Sequence, residues 1–181
     1  MKHINLNPMN PPLNWQDKLP DELPQGWGER AAVLCQAQSL TAALRALGGS
    51  FTVKVLYMGE LDGQGNSFGE NHAETAAPQF VRDVLLHLDG VPVVQARSAC
   101  SPQSQAWRGV LDCGTQPLGE RLFDGTLPLK RSAFEFCLME NVGGQDDFRR
   151  PVAARRSYFD WDGEVLELTE YFLPGLARIM R

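Results

Sequence analysis

Residues that mark redox, metal and membrane chemistry are scarce in this chain. Four of the 181 residues are cysteine, at positions 35, 100, 113 and 137, and no two form a C-x-x-C pair. That spacing excludes a zinc knuckle or a thioredoxin-like dithiol and fits reduced thiols in the cytosol. Histidine occurs three times, and His72 and His87 have no partner at metal-ligand spacing, so no metal centre is expected. No run approaches the ~18 apolar residues of a membrane span, and Lys2 is not followed by the apolar core of a secretory signal. A phosphate-binding glycine loop is missing too, which removes the usual nucleotide signal. The formal net charge of −5 argues against a nucleic-acid binder, which needs a basic face to displace counterions. The cluster Arg149, Arg150, Arg155 and Arg156 follows Asp146 and Asp147 and reads as a charge-mixed loop.

What remains is an ordinary globular composition, 43% hydrophobic and 22% charged. A chain of this length buries roughly 70% of its unfolded surface in one domain, enough to need no covalent staple. Prolines 8, 11, 12, 20 and 24 crowd the start; each fixes φ and removes a donor, so residues 1–27 are expected to be an extended arm. Residues 28–181 are expected to form a single domain. Within it, 28–48 reads as a helical pair: Ser39 is a candidate N-cap, Leu40, Ala43, Leu44 and Leu47 recur at helical spacing, and Gly48 supplies the stop. From Phe51 the period becomes two, with Phe51, Val53, Val55 and Tyr57 on one side. A polar loop follows over about 59–76. A short helix opens near Thr115 and Pro117, and a strand runs from about Phe134 to Glu140.

Two Asp-Gly pairs organise the rest. Asp89-Gly90 separates 81–88 from 91–98, and Asp162-Gly163 separates 157–161 from 164–172. Asp-Gly is a strong two-residue hairpin signal, since both turn positions need φ > 0. Early helices and hairpin-linked strands predict an α+β fold, an antiparallel sheet with helices packed on one face.

The hairpins also set a register. A regular two-residue turn at Asp89-Gly90 places Arg82 opposite Arg97. At roughly 5 Å and an effective dielectric near 20, that pair repels by about 3 kcal/mol. A bound anion reverses the sign; alternatively both heads extend past the sheet into water. At Asp162-Gly163 the same counting places Arg155 opposite Glu170, inside the apolar run Leu166–Pro174. That pair is either a structural ion pair or part of a site in which a guanidinium keeps a buried carboxylate ionised. Gly65-Asn66-Ser67-Phe68-Gly69 matches the G-x-S-x-G pattern of a nucleophile elbow, but it lacks the strand before and the helix after that the motif requires.

The segments Val81-Arg82-Asp83-Val84-Leu85-Leu86 with Asp89-Gly90, Ala96-Arg97-Ser98, Thr115-Gln116-Pro117-Leu118-Gly119-Glu120-Arg121-Leu122-Phe123, Arg155-Arg156-Ser157 and Leu168-Thr169-Glu170-Tyr171-Phe172-Leu173-Pro174 stand in an order that resembles bacterial chorismate lyase over roughly 28–174. The P-L-G-x-x-L-F and L-T-E-x-F-L-P stretches are the most diagnostic. The chain departs from the family in a longer loop over about 141–154, in Val152-Ala153-Ala154 where Trp-Gly is expected, and in its proline-rich start. The resemblance implies a ligand enclosed beneath helical flaps. It implies Arg82 and the backbone N–H of Leu118 on a ring carboxylate, Glu170 at the ring hydroxyl, and Leu40 lining the pocket. Arg97 falls on a further family arginine. It also implies a cytoplasmic, cofactor-free monomer that converts chorismate to 4-hydroxybenzoate and pyruvate, the opening step of ubiquinone biosynthesis. The alternative is the similarly folded small-molecule sensor domain of certain transcription regulators. Such a domain normally follows a winged DNA-binding module, and residues 1–27 are too short and proline-rich to be one.

Overall fold

The computed structural model describes residues 14–24, 26–62, 77–139 and 152–180. Two short helices, α1 (Glu29–Cys35) and α2 (Leu40–Ala46), precede β1 (Phe51–Leu61), β2 (Gln79–Leu88) and β3 (Val91–Cys100). Helices α3 (Gln105–Leu111) and α4 (Leu118–Phe123) lead to β4 (Lys130–Arg131), β5 (Glu135–Met139), β6 (Val152–Trp161) and β7 (Glu164–Phe172), and α5 (Pro174–Ile179) closes the chain. Every strand pairing is antiparallel. The order across the sheet is β1-β2-β3-β7-β6-β4, with β5 also on β6. This is the expected α+β architecture.

Local chemistry accounts for the element boundaries. Ser39 is extended, its Oγ accepts the Ala42 N–H at 3.3 Å, and α2 starts on the next residue. Gly48, at φ +81°, turns the chain out of that helix. The α4 helix begins at Leu118 behind Pro117, three residues later than the Thr115 start suggests. β1 continues to Leu61, which pairs with Gln79, so the strand takes in the first residues assigned to the polar loop. Ser67 and His72 lie outside the described residues. Val152, Ala153 and Ala154 belong to β6 rather than to a loop, and Ala153 and Ala154 are buried. In the arm, Gln16 exchanges backbone hydrogen bonds of 2.8 and 2.7 Å with Phe136.

Both Asp-Gly turns have the expected backbone, with φ +51° and +76° at Asp89-Gly90 and +52° and +88° at Asp162-Gly163. The second hairpin keeps the expected register: Trp161 opposes Glu164, Phe159 opposes Leu166, and Arg155 opposes Glu170. The first does not. His87 pairs with Pro92, but Leu86 pairs with Val94, so Val93 is an extra residue on β3. Pro92 has no N–H to give to the ladder, and a bulge is where a strand tolerates proline. The one-residue slip places Arg82 opposite Ser98 and Asp83 opposite Arg97. Adjacent residues of a strand point to opposite faces, so Arg82 and Arg97 are on different sides of the sheet. The like-charged facing pair is therefore replaced by an opposite-charged one.

Candidate functional site

One face of the sheet, roofed by α2 and α4, forms a small cavity of about 40 Å³. The period-two rule selects its floor: Arg82, Val84 and Leu86 from β2, Ala96 and Ser98 from β3, and Leu168 and Glu170 from β7. Cross-strand pairing aligns these residues in two rows. One row runs Val84, Ala96, Glu170, Arg155; the other runs Arg82, Ser98, Leu168, Ser157. Leu40 and Thr41 at the start of α2, and Pro117, Leu118 and Phe123 around α4, form the roof. Arg45 of α2 and Glu120 of α4 meet at 2.8 Å on the exposed side of this roof.

Arg82 is 1% exposed. Its Nη2 donates to the carbonyls of Gly114 and Gln116 at 2.8 and 3.2 Å. Its Nε–H is the buried side-chain donor with no acceptor among the described residues. An unmet buried donor costs of order 1–3 kcal/mol, more on a charged group. Burial pulls the Arg82 guanidinium below its ordinary pKa, with the neighbouring Cys113 opposing the shift.

At the other row, Arg155 Nε donates to Glu170 Oε2 at 2.6 Å. Arg155 Nη1 donates to the carbonyls of Cys35 and Ala37 at 2.9 and 2.6 Å, and the guanidinium lies 4.3 Å over the Phe134 ring. Both partners are buried. The thiol of Cys35, beside this pair, is pushed up to about 12, chiefly by burial, with Arg155 opposing. A thiol so protonated is a packing group and not a nucleophile.

A residue that the sequence patterns did not reveal completes the polar lining. Arg131, in the two-residue strand β4, reaches the cavity beside Arg155 and Glu170. Its Nε donates to Ser157 Oγ at 3.0 Å and its Nη1 to the Gln38 carbonyl at 2.6 Å. Its guanidinium lies 4.2, 4.9 and 5.2 Å from the ring centroids of Phe134, Phe159 and Phe123, a cage favourable to a cation. Burial lowers its pKa to about 10 even though Glu170 supports the charge.

Of the five candidates from the sequence, Arg82, Leu118, Glu170 and Leu40 line this cavity. Arg97 does not. On the opposite face its Nε and Nη2 form a two-pronged bond to Asp83 Oδ1 and Oδ2 at 2.8 and 2.6 Å, so its charge is matched within the sheet. No group of three or more His, Cys, Asp or Glu side chains that could hold a metal occurs among the described residues. Nor is any helix among them long and apolar enough to cross a membrane.

Comparison with known proteins gives a consistent result. The sequence profile of the chorismate lyase family matches residues 18–180. A "Probable chorismate pyruvate-lyase" of Ralstonia nicotianae is 34% identical, with 90% of each chain covered. A protein of the same description from Shewanella loihica is 30% identical, covering 96% of this chain and 94% of its own. Among solved structures, the effector domain of PhnF from Mycobacterium smegmatis superposes with a TM-score of 0.46 at 15% identity, covering 75% of this chain and 88% of that one.

Proposed function

The chain belongs to the chorismate lyase family, and from that premise we propose that it cleaves chorismate to 4-hydroxybenzoate and pyruvate in the cytoplasm, opening ubiquinone biosynthesis. The observation that carries the reading is Arg82: a fully buried guanidinium on the cavity floor whose Nε–H lacks an acceptor. A carboxylate of the ligand supplies that acceptor in the two-pronged geometry a guanidinium favours. Leu118, the first residue of α4, has a backbone N–H with no acceptor inside its helix, and it donates to the same carboxylate. Glu170 receives the ring hydroxyl at the far end, and Leu40 packs on the ring.

The chemistry suits such a cavity. The ether C–O bond of chorismate breaks, and the ring loses the hydrogen on the carbon bearing the hydroxyl. That hydrogen moves to the enolpyruvyl methylene, the ring becomes aromatic, and pyruvate departs. The two products sum to the substrate, so no outside oxidant or reductant enters. The protein holds the side chain over the ring and supports the charge that develops on the leaving oxygen. Arg155 Nε donates to Glu170 Oε2 while its Nη1 is held by two backbone carbonyls, and this anchored contact favours Glu170 as the group that fixes the hydroxyl. None of the four cysteines is in a disulfide, which supports a reducing compartment.

The test is to incubate the purified chain with chorismate and follow pyruvate and 4-hydroxybenzoate together. Equal amounts of both are expected. Arg82→Ala should weaken 4-hydroxybenzoate binding by about 10²-fold or more, the scale of a lost charge-assisted pair. Unchanged binding in Arg82→Ala, or no pyruvate from the wild type, defeats the reading.

A further inference from the structure

Charge around the cavity is unbalanced. Among the described residues that line it, Arg82, Arg131 and Arg155 are the cations and Glu170 is the anion, three charges against one, or a net +2. Arg155 and Glu170 satisfy each other at 2.6 Å. The excess therefore belongs to Arg82 and Arg131, whose hydrogen-bond acceptors are the neutral carbonyls of Gly114, Gln116 and Gln38 and the hydroxyl of Ser157. Two buried or half-buried guanidinium groups without a carboxylate partner are costly, and a dianion removes that cost at both ends. The two sit apart: the row from Arg82 through Ser98 and Leu168 to Ser157, which Arg131 holds, crosses three strand spacings, or about 14 Å of backbone.

We infer that Arg131 is a second anion-binding residue of this cavity: it receives the side-chain carboxylate of a dicarboxylate substrate while Arg82 receives the ring carboxylate. The assignment rests on the chorismate lyase reading and extends it to the enolpyruvyl end of the substrate. Arg155 does not fill this role, because its charge is already matched by the Glu170 carboxylate at 2.6 Å. The three phenylalanine rings around Arg131 keep its guanidinium in place when the carboxylate leaves. The arrangement also sorts substrate from product. A dicarboxylate engages both arginines, whereas 4-hydroxybenzoate has one carboxylate and leaves Arg131 without a charge partner, so the product binds with less of the cavity's field than the substrate does.

The experiment compares two ligands on wild type, Arg131→Gln and Arg131→Lys by calorimetry. One is 4-hydroxybenzoate. The other is a chorismate analogue whose enolpyruvyl methylene is reduced to methyl, which keeps both carboxylates but cannot release pyruvate. Arg131→Gln should weaken the dicarboxylate about 10–100-fold, the loss of one charge-assisted contact, and leave 4-hydroxybenzoate within about threefold. Arg131→Lys, with a point charge in place of the fork, should fall between. The KM for chorismate should rise in parallel. Equal weakening of both ligands, or of neither, overturns the assignment. If Arg131→Gln fails to fold, the same comparison on Arg131→Lys decides: a loss confined to the dicarboxylate supports it and a uniform loss overturns it. Binding is read without turnover. A wild type that shows the dicarboxylate dependence on Arg131 yet forms no pyruvate from chorismate defeats the lyase reading and leaves this assignment standing. Turnover without that dependence does the reverse.

Discussion

At the scale of single residues, the sheet separates two kinds of arginine. Arg97 and Arg155 have carboxylate partners at 2.6 Å in the neighbouring strand, while Arg82 and Arg131 do not. The distinction was half legible in the sequence. The Arg155–Glu170 pair followed from counting residues on either side of Asp162-Gly163, and the resemblance pointed to Arg82. Arg97 departs from its expected place because its partner, Asp83, is set by the extra residue Val93, four residues before Arg97 on the same strand. Arg131 was invisible because β4 is two residues long, too short for any period, and it reaches the cavity only by pairing with β6. Glu170→Gln gives the test at this scale. If the carboxylate fixes the hydroxyl, the amide should keep most of that contact and lose about tenfold in single-turnover pyruvate formation. A base would lose about 10²–10⁴. Because Arg155 is left without its charge, unfolding should also become easier by about 3–5 kcal/mol, so the rates are read on variants whose melting curves are still two-state. A rate for Gln that matches that for Ala, with binding intact, would assign proton transfer to Glu170.

At the scale of elements, a proline determines which side chains reach the ligand. The Asp89-Gly90 turn has the backbone its residues dictate, but 91–98 is not an uninterrupted strand, because Pro92 stands second in it and the register shifts there. The bulge at Val93 then serves a further contact. The Val93 carbonyl accepts the Leu173 N–H at 2.9 Å, and α5 docks on β3 there with Gly175 against the Pro92 carbonyl. A Cβ at Gly175 would lie 2.1 Å from that oxygen and 2.9 Å from Val91 Cγ1, backbone on one side and a packed methyl on the other. Gly175→Ala should therefore destabilise the fold by about 1–3 kcal/mol, the usual range for overpacking, measured as a lower denaturant midpoint with an unchanged slope. A midpoint equal to that of the wild type would show that α5 can move away at no cost. The helical pair and its Ser39 cap were legible because capping is local. The roof over the cavity was not, because the approach of α2 and α4 is a tertiary contact between segments far apart in sequence.

At the scale of the whole molecule, the cavity lies across the junction between β3 and β7. Arg82, its carbonyl partners at 114 and 116, Leu40 and Leu118 come from the first part of the chain; Arg131, Arg155 and Glu170 come from the second. The two hairpins are local and form early, whereas the β3–β7 ladder, Val94 with Phe172 through Cys100 with Leu166, closes a long loop and is entropically the slowest pairing. In refolding experiments, 4-hydroxybenzoate binding should appear with the slowest phase and trail the recovery of strand signal; binding that develops with the first phase would refute this order. The same junction has a consequence for the chain treated as two pieces. Severed near Gly125, it yields one fragment that keeps the Arg82 anchor and another that keeps Arg131 and the Glu170 clamp, so neither alone can recognise a two-ended ligand. Recognition is restored only when the fragments re-associate along β3 and β7, which makes ligand affinity a direct readout of complementation.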